Sequence, residues 1–176
     1  MNKLIPLLKS KQVLFHTQDI ALLWGIKNRQ TLRMTISRYV KKGILKSVTR
    51  GLYSTISVED LNKYQLGASL IHRFSYLSCE SILEQNGVIN QKIYTLTYVS
   101  SISQKRELNN RLFVFRQMNP QFLLNLEGIS FKDGVYKASL ERAVADSQYF
   151  KLNVFFDSPD LINWVRVNEI KKTVGY

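Results

Sequence analysis

The stretch "YVKKGILKSVTRGLYS", Tyr39 to Ser54, decides how the chain is read. It carries Lys41, Lys42, Lys46 and Arg50 and no acid, yet Val40, Ile44, Leu45, Val48, Leu52 and Tyr53 are apolar. "ILKSV" and "GLYSTI" read as two short strands, with Thr49, Arg50 and Gly51 turning the chain between them. The apolar residues then pin a hairpin to a core, and the basic ones face outward.

Upstream, a helix is expected from Arg29 to about Lys42, capped by Asn28 and stopped at Gly43. At about 100° per residue, Leu32, Thr35, Ile36, Tyr39 and Val40 share one side. Gln30, Arg33, Met34, Ser37, Arg38 and Lys41 share the other, which has no carboxylate. Before it, "FHTQDIALLWGI" holds a second helix with Thr17 as N-cap and Asp19 in the first turn. Ile20, Leu22, Leu23 and Trp24 are its expected buried side, and Gly25 ends it. A short helix over residues 2–10 would place Pro6 near its start. Helix, turn, helix and basic hairpin make a winged helix-turn-helix plan. The second helix of such a pair enters the DNA major groove, about 12 Å wide, while the hairpin grips the flanking backbone.

Charge agrees with that division. The chain has 176 residues and a formal net charge of +12. Residues 1–58 hold 11 Lys/Arg against one acid, Asp19, whereas residues 59–176 hold 14 against 12. Nearly all the excess sits in the first third, as a polyanion-binding segment requires. An ordinary solvated helix face would interleave Glu or Asp for i,i+4 pairing, and this one has neither. Arg33 and Gln30 are therefore the candidates for base edges, since Arg suits guanine and Gln suits adenine. Arg29, Arg38 and Lys41 are assigned to phosphates, with Ser37 on the same face. Lys46 and Arg50 are assigned to the backbone or minor groove beside the hairpin.

After Ile56 the texture changes. "SVED" has a capping-box pattern, with Ser57 as cap of a helix over residues 58–71. "SCESILEQNG" is a further helix stopped by Gly87. "KIYTLTYVS" and "RLFVFRQM" alternate like half-buried strands, and "DGVYKA" is a strand after a turn at Asp133 and Gly134. "SLERAVADSQYF" and "SPDLINWVRVNEIKK" are helices. The expected fold is α+β: an N-terminal winged helix-turn-helix over residues 1–57, then a small mixed α+β domain over residues 58–176.

Two stretches together resemble a family. "KKGILKSVTRGLYS", preceded by a helix-turn-helix, is similar to the N-terminal domain of AbiEi-type antitoxins. "YLSCESILEQNGVINQ", then "TLTYVSS" and "KASLERAVADSQYF", resembles the segment those proteins carry next. The resemblance spans about residues 17–150. It implies a transcriptional repressor binding double-stranded DNA at its own operator. It also implies an antitoxin that counters a cognate nucleotidyltransferase-like toxin of an abortive-infection system without requiring a stable toxin complex.

Two other chemistries have some support in the sequence. "PDLINWVRVNEIK" contains P-D followed by E-x-K, the pattern of a metal nuclease using Asp160, Glu169 and Lys171. If Ser158 and Pro159 open one continuous helix, with Leu161, Ile162 and Val165 at helical spacing, Asp160 and Glu169 lie about 13 Å apart, too far to share an ion. A basic protein-interaction module is the other alternative. His16, His72 and Cys79 lack zinc-ligand spacing, and no glycine-rich phosphate loop occurs. No catalytic, metal or cofactor residues are expected. Cys79, near a helix start, reads as a small buried residue rather than a reactive thiol. Tyr76, Tyr94, Tyr98, Phe113 and Phe115 read as core rather than base-stacking residues. Asp146 is spaced to pair with Arg142 at i,i+4. The apolar start is too short for a signal peptide and no run suits a membrane span, so a cytoplasmic protein is expected.

Overall fold

A computed structural model describes residues 3–92 and 94–176. The fold is mixed α+β and divides into two compact units, residues 1–72 and 73–176. The first unit thus runs past residue 57, where a boundary was expected, and takes in the segment up to His72.

In the first unit, α1 (Leu4–Lys9) precedes a short strand β1 (Leu14–His16). Asn2, at the expected helix start, lies outside the described residues. Helix α2 (Thr17–Trp24) follows. Its N-cap is His16, one residue before the expected Thr17, and the Asp19 carboxylate accepts the His16 N–H at 2.8 Å. Ile20 and Trp24 are buried, but Leu22 is 82% exposed, a correction to its expected place in the core. Helix α3 (Arg29–Lys41) packs Leu32, Thr35 and Ile36 inward. Strands β2 (Lys46–Thr49) and β3 (Leu52–Ser54) form the hairpin, with an irregular register between Ser47 and Thr49. Strand β1 pairs antiparallel with the other side of β3, giving the order β1-β3-β2. Leu7, Phe15, Ile20, Trp24, Leu32, Ile36 and Leu45 make one apolar core.

The expected helix over residues 58–71 is instead a 3-10 turn, Val58–Asp60, then a separate helix α4 (Lys63–Ser69). Ser57 makes no side-chain cap bond, and Asn62 caps α4 by accepting from the Tyr64 and Gln65 N–H groups. A local Asn–backbone bond at Asn62 outcompetes the Ser57 pattern.

The second unit is a six-stranded mixed sheet. Its strands are β4 (Ser75–Leu77), β5 (Thr95–Ser100), β6 (Gln104–Leu108), β7 (Arg111–Gln117), β8 (Ile129–Lys132) and β9 (Val135–Ala138), in the order β6-β7-β5-β4-β9-β8. β5 runs parallel to β7 and β4 parallel to β9; the other neighbours are antiparallel. Residues 96–100 of the central strand β5 are all buried, a correction to the half-buried strand expected there, because the strand is covered on both faces. Helices α5 (Glu80–Gln85), α6 (Pro120–Leu123), α7 (Leu140–Tyr149) and α8 (Trp164–Val174) complete the unit. Tyr76, Tyr98, Phe113 and Phe115 are core residues, but Tyr94 is 81% exposed.

Arg142 and Asp146 are fully buried at the centre of this unit, 2.9 Å apart at closest approach. Arg142 donates to the Asn125 and Glu127 carbonyls and to the Tyr76 hydroxyl. Asp146 accepts from the Ser78 and Tyr176 hydroxyls. Burial pushes the Tyr76 and Tyr176 hydroxyls above their ordinary range, so both remain neutral donors.

Candidate nucleic-acid interface

Two neighbouring turns set the geometry of α2 and α3. Gly25 ends α2 at φ +64°, a left-handed position that suits glycine. The Gly25 and Ile26 N–H groups close the helix end on the Leu22 and Ala21 carbonyls. Three residues later, Asn28 starts α3 by accepting the Thr31 N–H at 2.9 Å. The apolar stripe of α3 then fixes its rotation. With Leu32, Thr35 and Ile36 buried, Gln30, Arg33, Met34, Ser37, Arg38 and Lys41 are exposed together. Arg29 is exposed at the first turn.

The hairpin is held to the start of α2. Thr17 donates both its N–H and its hydroxyl to the Gly51 carbonyl, at 2.9 and 3.2 Å. Gly51 has φ +83°, and its neighbour Arg50 is exposed. Leu45 and Leu52 are buried under the hairpin, while Lys46 is exposed. A buried leucine pair thus holds a turn whose charges face solvent. A cleft of about 820 Å³ opens between the starts of the two helices, where Gln18, Lys27, Arg29, Gln30 and Arg33 meet.

Among the described residues, no ion pair engages Arg29, Arg33, Arg38, Lys41, Lys46 or Arg50. Asp19, the single acid of the first 58 residues, is occupied by the His16 N–H and by His72, whose Nε2 lies 3.5 Å away. Among the described residues, the cationic face therefore has no carboxylate paired with it. All eight candidate residues, Arg29, Gln30, Arg33, Ser37, Arg38, Lys41, Lys46 and Arg50, are exposed on α3 and the adjoining hairpin. Gln18 also lines the cleft, although sequence reasoning passed over it. Its only signal was a position two residues before the buried Ile20 and six before the buried Trp24, which marks many ordinary surface residues as well.

The residues of the nuclease pattern are distributed otherwise. Asp160 lies in a 3-10 turn, Pro159–Leu161, and the chain is extended at Ile162 before Asn163 caps α8. The single helix expected from Ser158 is thus broken, and Leu161 and Val165 are exposed rather than buried. Glu169 is paired with Arg166 at 3.0 Å, and the Lys171 ammonium donates to Gln148. Among the described residues, no group of three His, Cys, Asp or Glu side chains is placed to hold a metal ion. Cys79 is fully buried, and burial raises its thiol well above the ordinary range. Among the described residues, no helix is long and apolar enough to cross a membrane.

No protein-family model matches the chain, and a search of curated proteins finds no match.

Proposed function

We propose that the first unit is a winged helix-turn-helix that binds double-stranded DNA in a sequence-specific manner, and that the chain represses its own operon. In this reading α3 enters the major groove, with Arg33 and Gln30 at base edges. Arg29, Arg38 and Lys41 neutralise phosphates along the groove, and Lys46 and Arg50 of the hairpin hold the flanking backbone. One observation carries the reading: the cations of α3 and the hairpin are exposed together and, among the described residues, have no carboxylate partner. An ordinary soluble surface mixes both signs, whereas a phosphate-binding face needs its cations free.

The resemblance to AbiEi-type antitoxins extends this reading to a second role. The chain counters a cognate nucleotidyltransferase-like toxin through its second unit, functionally and without requiring a stable complex. The protein is not an enzyme in this reading, and it acts in the cytoplasm.

A gel shift with the duplex upstream of its own gene, against a scrambled duplex of equal length, tests the DNA reading. Specific retention of the upstream duplex is expected. Equal retention of both, or of neither, contradicts it. Co-expression with the nucleotidyltransferase-like product of an adjacent gene tests the second role, and rescue of growth is expected.

A further inference from the structure

The chain's only two histidines, far apart in sequence, meet in the first unit. The His16 and His72 rings are stacked, with centroids 4.2 Å apart and planes 23° from parallel. His72 Nε2 lies 3.5 Å from one Asp19 oxygen, and the other oxygen accepts the His16 N–H. His16 is at once the last residue of β1, opposite Leu52 of β3, and the N-cap of α2. The next residue, Thr17, makes the two bonds to Gly51 at the hairpin tip. The stack therefore stands at the joint that fixes α2 against the hairpin carrying Arg50.

We propose that the His16–His72 stack is a proton-sensitive joint: one positive ring is accommodated beside Asp19, and a second forces the rings apart and loosens the hairpin from α2. That this modulates DNA recognition rests on the function proposed above; the loosening itself does not.

The charged surroundings are few. Helix α2 contributes Asp19, and the segment after α4 contributes His72. Helix α4 presents the Ser69 carbonyl to His16, and its own charge, Lys63, is at the opposite end over the Tyr64 ring. Strand β3 has Tyr53 as its titratable group, and Tyr53 is opposite Phe15 rather than His16. Among the described residues, Asp19 is thus the one acid placed to compensate two imidazolium charges.

Burial and the neighbouring His72 hold His16 below its ordinary range, and Asp19 and the Ser69 carbonyl offset this only in part. The sign follows. The unfolded chain binds its His16 proton near pH 6.5, and the folded chain binds it only at lower pH. Stability of the joint is complete above that value and declines as pH falls below it toward the folded pKa. Added positive charge attracts every duplex alike, so the informative DNA readout is preference for the operator, not total binding.

The test uses the full chain. NMR titration follows both imidazoles, and amide exchange at Thr17 is compared between pH 7.5 and 5.5. His16 is expected to titrate below 6.5. The Thr17 protection factor is expected to fall by at most about tenfold, because only one pH unit of that window lies below 6.5. In His72→Gln, the His16 midpoint moves up and part of the loss in protection disappears, the part that burial causes remaining. A His16 midpoint at or above 6.5, or Thr17 protection that does not change with pH, overturns the joint, and both are read on the unsubstituted protein. Fluorescence anisotropy with upstream and scrambled duplexes supplies the DNA arm. Operator preference is expected to narrow at pH 5.5 in the wild type and less so in His72→Gln. Unchanged preference overturns the regulatory role. Failure to bind either duplex at pH 7.5 overturns the DNA reading instead, leaving the joint to be decided by Thr17 protection.

Discussion

The two units use charge in opposite ways. The first, residues 1–72, has 12 Lys/Arg against three acids and keeps its core apolar. Its cations stand on the rim of α3 and the hairpin without ion-pair partners among the described residues. The second, residues 73–176, has 13 Lys/Arg against ten acids and pairs many of them: Arg116 with Glu80, Arg166 with Glu127 and Glu169, and Arg142 with Asp146 at zero exposure. A buried ion pair confers little net stability, but it holds its neighbours in one arrangement. Unpaired surface cations confer none and repel one another, so their concentration on one rigid face makes sense as a surface awaiting a counter-charge. Charge in one unit is internal architecture; in the other it faces outward.

The comparison can be broken in several places, beginning with the largest effect. Arg142→Met leaves Asp146 buried without its counter-ion, and should destabilise the second unit by about 3–5 kcal/mol in urea unfolding. The double substitution Arg142→Met with Asp146→Leu should recover part of that loss, since it removes the orphaned charge. Neither should alter duplex binding by the first unit where the chain remains folded. Arg33→Ala should leave the fold intact and remove about 1–3 kcal/mol of discrimination at one base pair, read by competition among single-position duplex variants. Equal loss on every duplex would take Arg33 out of base readout. Asn28→Ala removes the acceptor for the Thr31 N–H and should cost about 1 kcal/mol of thermal stability in the first unit. Lys41→Ala should weaken all duplexes alike and lower the salt slope by about one unit.

Sequence pattern reached the first unit more fully than the second, for a physical reason. Helix α3 has every local signal in agreement: Asn28 as cap, an apolar stripe at Leu32, Thr35 and Ile36, and Gly43 at φ +71° after its end. Strand β1 was invisible because three residues, Leu14 to His16, are too few for an alternation to register; its identity comes from pairing with β3. His16 rather than Thr17 caps α2 for the same reason, since the strand runs directly into the helix. In the second unit, the Arg142–Asp146 spacing was legible as an i,i+4 pair, but burial was not. Full burial depends on carbonyls at Asn125 and Glu127 and hydroxyls at Tyr76, Ser78 and Tyr176, all distant in sequence. The break before α8 turns on Ile162, which is extended and buried between two helical turns, so a plausible helical period across residues 158–171 gave way to tertiary packing.

The candidate interface was legible to the same degree as α3 itself. Its eight residues follow from rotation of one helix and from one hairpin, Lys46 at its open end and Arg50 at its turn. The cleft shared with Gln18 and Lys27 was not, because it depends on how α2 approaches α3 across the Gly25 turn.

The most direct test is the salt dependence of binding to the upstream duplex, measured from low to physiological ionic strength. Free cations on α3 and the hairpin that neutralise about five phosphates require log K to fall with log salt at a slope near −4 to −5. A slope close to zero, or no binding at low salt, would mean that the outward charges of the first unit do not meet a phosphate backbone.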